Sequence, residues 1–396
     1  MPSDSPDRPL MEIAVSLCEA DSLGEGKSKI VMIPFSAQTD GAYFTGATAA
    51  NGVDTQRTDT EGNFTLSARY MLKGTDFTGK DCGIFIENNG SSLDDCVPTV
   101  RTDSEALSFM ERADLRATVQ PGDGRVTVRI SLAEIPPDGY DSRLPGTEYP
   151  RFQKHSYFSQ TAGRDTNVNV LLPARLQEGK KYPVLYLLHG FFDTEDWMAR
   201  PEVALPQILG NLQQAGLAKD MIVVLPYIYC SRERPAVTAM DLDNCLAYDN
   251  FIHDFLTDLK PFVEQNFPAA TGRENTAITG FSMGGRESLF IAFTHPELFD
   301  YVGAACPAPG LVEIAGSPMH PGQIAPRQMK FSAGNRPRVL LISSSLADDT
   351  VSTAPDSYRG ILTENGEPFL SQVLHGTAHD HTSVKPHLYN FLRMLF

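Results

Sequence analysis

A serine hydroxyl attacks a carbonyl only when it is exposed on a tight turn beside a base. Residues Gly280-Phe281-Ser282-Met283-Gly284-Gly285 fit the G-x-S-x-G pattern that provides such a turn. The chemistry would be acyl transfer, with Ser282 as nucleophile. The flanking glycines relieve crowding where the chain reverses sharply. Thr276–Thr279 ahead predicts a strand and Glu287–Phe293 behind predicts a helix. That is the strand–turn–helix setting the pattern requires.

A serine of this kind is followed in the chain by an acid and then by a histidine. Arg338–Ser344 predicts a late strand, and Asp348 and Asp349 come just after it. The tail holds His375, His379, His381 and His387. Spacing leaves His379 and His381 level as the base, and leaves both aspartates open. Four histidines also raise the question of a metal cluster. No cysteine or carboxylate pattern at ligand spacing accompanies them, so neither metal nor organic cofactor is expected. Leu188-His189-Gly190-Phe191 closes the first central strand of this half. Backbone N–H groups of Phe191 and Met283 are the candidate oxyanion donors, each worth about 3–4 kcal/mol in the transition state. His189 reads as a buried turn residue.

These groups need a scaffold. Tyr182–Leu188 and Met221–Pro226 are continuous apolar runs, as in parallel strands buried on both faces. In Asp249–Phe267 the residues Ile252, Phe255, Leu256, Leu259 and Val263 step at helical spacing, with Asp249 or Asn250 as cap. This alternation predicts a doubly wound, mostly parallel sheet. The insertion 227–250 follows a strand at its carboxyl end, where pockets form. Tyr227, Tyr229, Cys230, Arg232 and Arg234 are pocket candidates there, with Trp197 and Pro307–Pro309 elsewhere.

The first part of the chain reads as β. Lys29–Phe35, Phe64–Leu72, Gly83–Glu87 and Arg125–Leu132 alternate with period two. Turn signals fall at Asn51-Gly52, Glu61-Gly62-Asn63 and Asn88-Asn89-Gly90. A small barrel or sandwich follows. A Pro- and Gly-rich stretch separates the halves. The expected division is a β-barrel domain at 1–135, a linker at 136–151 and a hydrolase domain at 152–396.

The chain of 396 residues carries 33 basic and 49 acidic side chains, a net charge of −16. Such a surface disfavours nucleic acid and anionic membranes as partners. No apolar run is long enough to span a bilayer. Residues 1–15 show no basic segment followed by an apolar one, so a cytoplasmic location is expected, with secretion as the alternative if a signal precedes them. The six cysteines are scattered, and free thiols are favoured over Cys82–Cys96 and Cys230–Cys245 bridges.

The second half resembles the esterase D-like branch of α/β-hydrolases, and within it the feruloyl and acetylxylan esterases of carbohydrate esterase family one. The likeness rests on Lys181–Gly190, on Asp196-Trp197, on Ile278–Gly285, and on His379-Asp380 with Lys385-Pro386 and Asn390-Phe391-Leu392. It covers about Phe152 to Phe396. The resemblance implies His379 as base and Asp348 as orienting acid, after a turn that begins with Ser345 rather than glycine. Among the pocket candidates, Trp197, Tyr229 and Pro307 are the expected substrate contacts. The implied substrate is a small or carbohydrate-linked ester, with a feruloyl ester first. Acetylated xylan, other short-acyl esters, trilactones and S-formylglutathione are the alternatives, with acyl transfer to sugars beside hydrolysis. A ligand-binding protein on a hydrolase scaffold is the non-enzymatic alternative. The first half resembles an uncharacterised calycin-like β-barrel family, through Arg69-Tyr70, Gly83–Gly90 and Val100-Arg101-Thr102. That implies architecture, with carbohydrate binding, active-site cover or homo-oligomerisation as candidate roles beside that of a stabilising appendage.

Overall fold

Alternating apolar residues can be buried only if a strand has one face on a core. The computed structural model describes residues 8–24, 28–122, 125–313 and 320–396. The chain divides into two compact units, residues 1–133 with 368–371 and residues 134–367 with 372–396.

The first unit holds β1 (Met11–Leu17), β2 (Asp21–Leu23), β3 (Lys29–Asp40), β4 (Phe44–Thr48), β5 (Gly52–Thr58), β6 (Phe64–Asp76), β7 (Asp81–Gly90), β8 (Cys96–Thr102), β9 (Leu115–Pro121) and β10 (Arg125–Leu132). Antiparallel neighbours run β1-β10-β9-β8-β7-β6-β4-β3-β2, with β5 paired to β3 and β6. Pairing of β1 with β3, from Ala14–Gln38 to Leu17–Phe35, closes the sheet into a barrel. Val128, Ile130 and Leu132 of β10 are buried while Arg125 and Arg129 are exposed, as the alternation requires. The expected turn at Asn88-Asn89-Gly90 is instead the end of β7. Those residues pair with Pro98, Val97 and Cys96 of β8. Ladder pairing overrides the local turn preference there.

The second unit holds β11 (Arg151–Ser159), β12 (Arg164–Leu172), β13 (Val184–Leu188), β14 (Ile222–Pro226), β15 (Thr276–Gly280), β16 (Tyr301–Ala305), β17 (Val339–Ser345) and β18 (Leu370–Leu374). Its sheet runs β11-β12-β14-β13-β15-β16-β17-β18. From β14 through β17 the pairings are parallel, and β11 and β12 add an antiparallel edge. Every residue of β13 to β17 is buried, which is why β13 and β14 read as unbroken apolar runs. The fold is that of an α/β-hydrolase. From β13 the chain steps to one side to form β14, then to the other side to form β15. Ligands of such sheets bind at this switch, outside the carboxyl ends of the strands.

The helices are α1 (Leu205–Gln214), α2 (Leu242–Asp249), α3 (Phe251–Asp254), α4 (Lys260–Asn266), α5 (Met283–Thr294), α6 (Ala354–Glu364) and α7 (His381–Met394). The single helix expected over Asp249–Phe267 is a broken one that starts earlier. Asp241, not Asp249 or Asn250, caps α2 by accepting from the Asn244 N–H at 2.9 Å. A wide π turn at Phe255–Leu259 separates α3 from α4. Pro261 follows it and has no N–H to donate to the Thr257 carbonyl. The Pro- and Gly-rich stretch is tied to α1. Asn211 donates to the Tyr140 and Ser142 carbonyls at 2.9 and 2.8 Å and accepts from the Tyr149 hydroxyl at 2.7 Å. All six cysteines are free thiols. Among the described residues, no helix is long and apolar enough to cross a membrane.

Candidate active site

The elbow begins where β15 ends. Ser282 sits at φ 55° and ψ −115°, a backbone conformation that L residues avoid. Its N–H donates to the Ala305 carbonyl at 2.9 Å, and its own carbonyl accepts from Ala308 and Arg286. A residue held this way costs about 1–3 kcal/mol and persists only where its surroundings over-determine it. The glycines are required by contact. A Cβ on Gly280 would lie 2.4 Å from the carbonyl carbon of Gly284, and one on Gly284 would lie 2.4 Å from the Leu188 oxygen. Side chains there would push α5 off β13 and β15.

Asp348 lies in the turn after β17, and His379 lies between β18 and α7. His379 Nδ1 is 2.6 Å from Asp348 Oδ2. The other carboxylate oxygen accepts from the N–H groups of Thr350 and Val351, at 3.0 and 3.3 Å. Burial pushes the Asp348 carboxyl up, but the hydrogen bonds from His379, Val351 and Thr350 outweigh it and hold it below the usual range. The His379 ring packs on Phe281, the residue before the serine, with centroids 4.5 Å apart.

The rival residues are placed otherwise. Asp349 is exposed. His375 is exposed beside Glu134, and His381 opens α7. His387 is buried between the Thr279 and Ser343 hydroxyls, each at 2.8 Å, and burial lowers its pKa to about 3.

Gly190 approaches the nucleophile so closely that a Cβ on it would stand 3.5 Å from Ser282 Cβ. Phe191 follows directly, so the strand end runs past the serine. Met283 opens α5, where helix geometry leaves N–H groups without an intrahelical acceptor. His189 is a turn residue, 1% exposed, that accepts from Ile228 N–H at 3.1 Å. Burial lowers its pKa to about 4.

Trp197 is half-buried and stacks on Phe281. Pro307 follows the end of β16, against Gly285. Tyr229 is 1% exposed and donates to Asn244 at 2.6 Å, so it stands inside the wall. Arg232 is held by the Gln160 and Thr161 carbonyls.

Three further residues border the site. Asp193 has its Oδ2 2.9 Å from where a Cβ on Gly190 would lie. Burial pushes its carboxyl up to about 6, against the opposing charges of Arg200 and His379. Its position two residues past Phe191 was a usable signal. The Tyr248 hydroxyl accepts from Phe192 N–H at 3.2 Å, and its ring meets Phe191 at 4.9 Å. Nothing in the spacing links residue 248 to residue 191. Cys306 is the third. Cys306, Asp348 and His379 have donor atoms within 4.8 Å of one another, the one such group among the described residues that could hold a metal. Burial pushes the thiol up to about 12, which favours a protonated S–H over a thiolate ligand.

The Esterase family model matches residues 159–345. A ferulic acid esterase of Anaeromyces mucronatus, solved in complex with ferulic acid, is 37% identical. Its match covers 67% of this chain and 97% of that one, with a TM-score of 0.63. The chain belongs to carbohydrate esterase family one. It is a carboxylic ester hydrolase. An endo-1,4-beta-xylanase/feruloyl esterase of Xylanibacter ruminicola is 31% identical over 161 residues, 38% of this chain and 21% of that protein. Endo-1,4-beta-xylanase Y of Acetivibrio thermocellus is 28% identical over 192 residues, 46% of this chain and 16% of that protein. This family-one esterase therefore spans about a fifth or less of the length of those two curated relatives.

Proposed function

We propose that this enzyme hydrolyses hydroxycinnamoyl esters, feruloyl esters of plant cell-wall sugars first, through a Ser282–His379–Asp348 triad. The observation that carries the reading is the 2.6 Å bond from His379 Nδ1 to Asp348, beside the strained elbow. The Anaeromyces mucronatus esterase with its bound ferulic acid supports the acyl group.

His379 Nε2 takes the Ser282 proton as Oγ attacks the ester carbonyl. Asp348 holds the imidazole in the tautomer with hydrogen on Nδ1 and stabilises the cation that forms. N–H groups of Phe191 and Met283 receive the oxyanion. The sugar alcohol leaves with the proton from His379, and water then releases the acid. The exposed ring of Phe192, packed on Phe191 at 4.8 Å, offers an aromatic face to a planar acyl group. Residues 152–396 carry this chemistry, with the barrel at 1–135 and a connecting segment at 136–151.

Hydrolysis of methyl ferulate beside p-nitrophenyl acetate tests the acyl preference. Faster ferulate release supports the proposal. Acetate release alone redirects the assignment to acetylated xylan or other short-acyl esters.

A further inference from the structure

We propose that Cys306 is a positioning residue for Asp348, its S–H donating to the carboxylate that orients His379. This rests on the triad reading above.

Cys306 directly follows β16 at φ 43°, in the left-handed region that a non-glycine residue enters only when held there. Its N–H is held by the Ser343 carbonyl at 2.8 Å. The side chain is fully buried, and its sulfur and the facing Asp348 and His379 atoms all lie within 4.8 Å of one another. A buried thiol this resistant to ionisation is a donor and not a nucleophile. Asp348 accepts from His379 and from two backbone N–H groups, and the buried Cys306 S–H stands beside it as a fourth donor.

The thiol would do two things. It fixes the carboxylate rotamer that meets Nδ1. It also draws off part of the charge that Asp348 presents to the imidazole. Loss of the S–H leaves a looser carboxylate whose charge falls more fully on His379, so the imidazolium is stabilised. The other charged groups facing this pair are Asp193 from the β13 loop, with Arg200 beside it, and Asp380 from the start of α7, with His381 beside it. They stay constant in a Cys306 variant.

The test is the pH profile of kcat and kcat/KM for Cys306→Ala, Cys306→Ser and Asp348→Ala. Cys306→Ala is expected to lower kcat about three- to tenfold with KM unchanged, the size of one ordinary hydrogen bond. The acid limb should move up by about 0.3–0.5 pH unit. Cys306→Ser keeps a donor and should restore most of both. A Cys306→Ala enzyme with the wild-type kcat and acid limb overturns the inference, as does a Ser variant no better than Ala. If activity survives in Asp348→Ala, the triad reading itself fails. Should Cys306→Ala not fold, the wild-type Raman S–H band assigned by its loss in Cys306→Ser decides the matter. It should lie at the low frequency of a bonded thiol and rise in Asp348→Ala, and a band unmoved by that change refutes the contact.

Discussion

The indole of Trp197 lies flat against the ring of Phe281, with centroids 5.1 Å apart and planes 7° from parallel. Phe281 meets His379 on its way to the serine. The tryptophan thus braces the base through one intervening ring. Aromatic pairs of this kind contribute about 0.5–1.5 kcal/mol beyond the area they bury. Trp197→Ala should lower kcat/KM on methyl ferulate two- to tenfold, roughly that energy expressed as a rate. An unchanged kcat/KM would show that Phe281 needs no brace.

Gly284→Ala tests the packing of the elbow. The added methyl would stand 2.4 Å from backbone oxygen of β13, which cannot move without dragging the sheet. Overpacking of this kind costs about 1–3 kcal/mol, more against a rigid neighbour. The variant should melt several degrees lower and lose nearly all turnover. Wild-type Tm by scanning calorimetry would mean that α5 can shift freely.

Elements with one dominant cause were legible in the chain. Arg125–Leu132 forms a strand over the expected residues because its alternation matches a one-sided core. The elbow was legible because strand, glycine spacing and helix all agree. Where two causes compete, sequence reading failed. Asn88-Asn89-Gly90 has the composition of a turn, yet two neighbouring strands claim its backbone. The break near Phe255 was also missed, since buried positions on either side of it keep an almost helical period. Cys306 and Asp348 come within 4.8 Å just past the ends of two parallel strands, and no local pattern encodes such a meeting.

His387 should make the fold sensitive to acid. Its folded pKa, lowered by burial to about 3, lies below the unfolded value of about 6.5. Its contribution is thus complete above pH 6.5 and is lost as the pH falls toward 3. His189 acts in the same sense, while the buried carboxyls Asp193 and Asp254, pushed up to about 6, act in the opposite one. His387→Gln keeps hydrogen-bonding capacity toward Thr279 and Ser343 and removes the titration. Its Tm should fall less steeply than wild type between pH 6.5 and 4. Parallel curves would contradict the burial argument.

Arg286 anchors the loop after β16 from within. Its side chain is fully buried against Asp249 and Glu287, and Gln323 bridges those two carboxylates. Burial pushes Glu287 up, with Arg286 opposing it. Removing the cation strands two carboxylates, a loss of about 3–5 kcal/mol. Arg286→Met should melt roughly 10 °C lower. Arg286→Lys should recover only part of this, because an ammonium cannot reproduce the planar fork. Equal Tm for Lys and wild type would reduce the cluster to a simple charge.

The most direct test is covalent labelling of the nucleophile. Wild-type enzyme treated with a fluorophosphonate should gain one adduct, and peptide mapping should place it on Ser282. Ser282→Ala should take up none and should hydrolyse neither methyl ferulate nor p-nitrophenyl acetate while keeping the wild-type Tm. An adduct on any other residue, or turnover retained in a folded Ser282→Ala enzyme, would contradict the account.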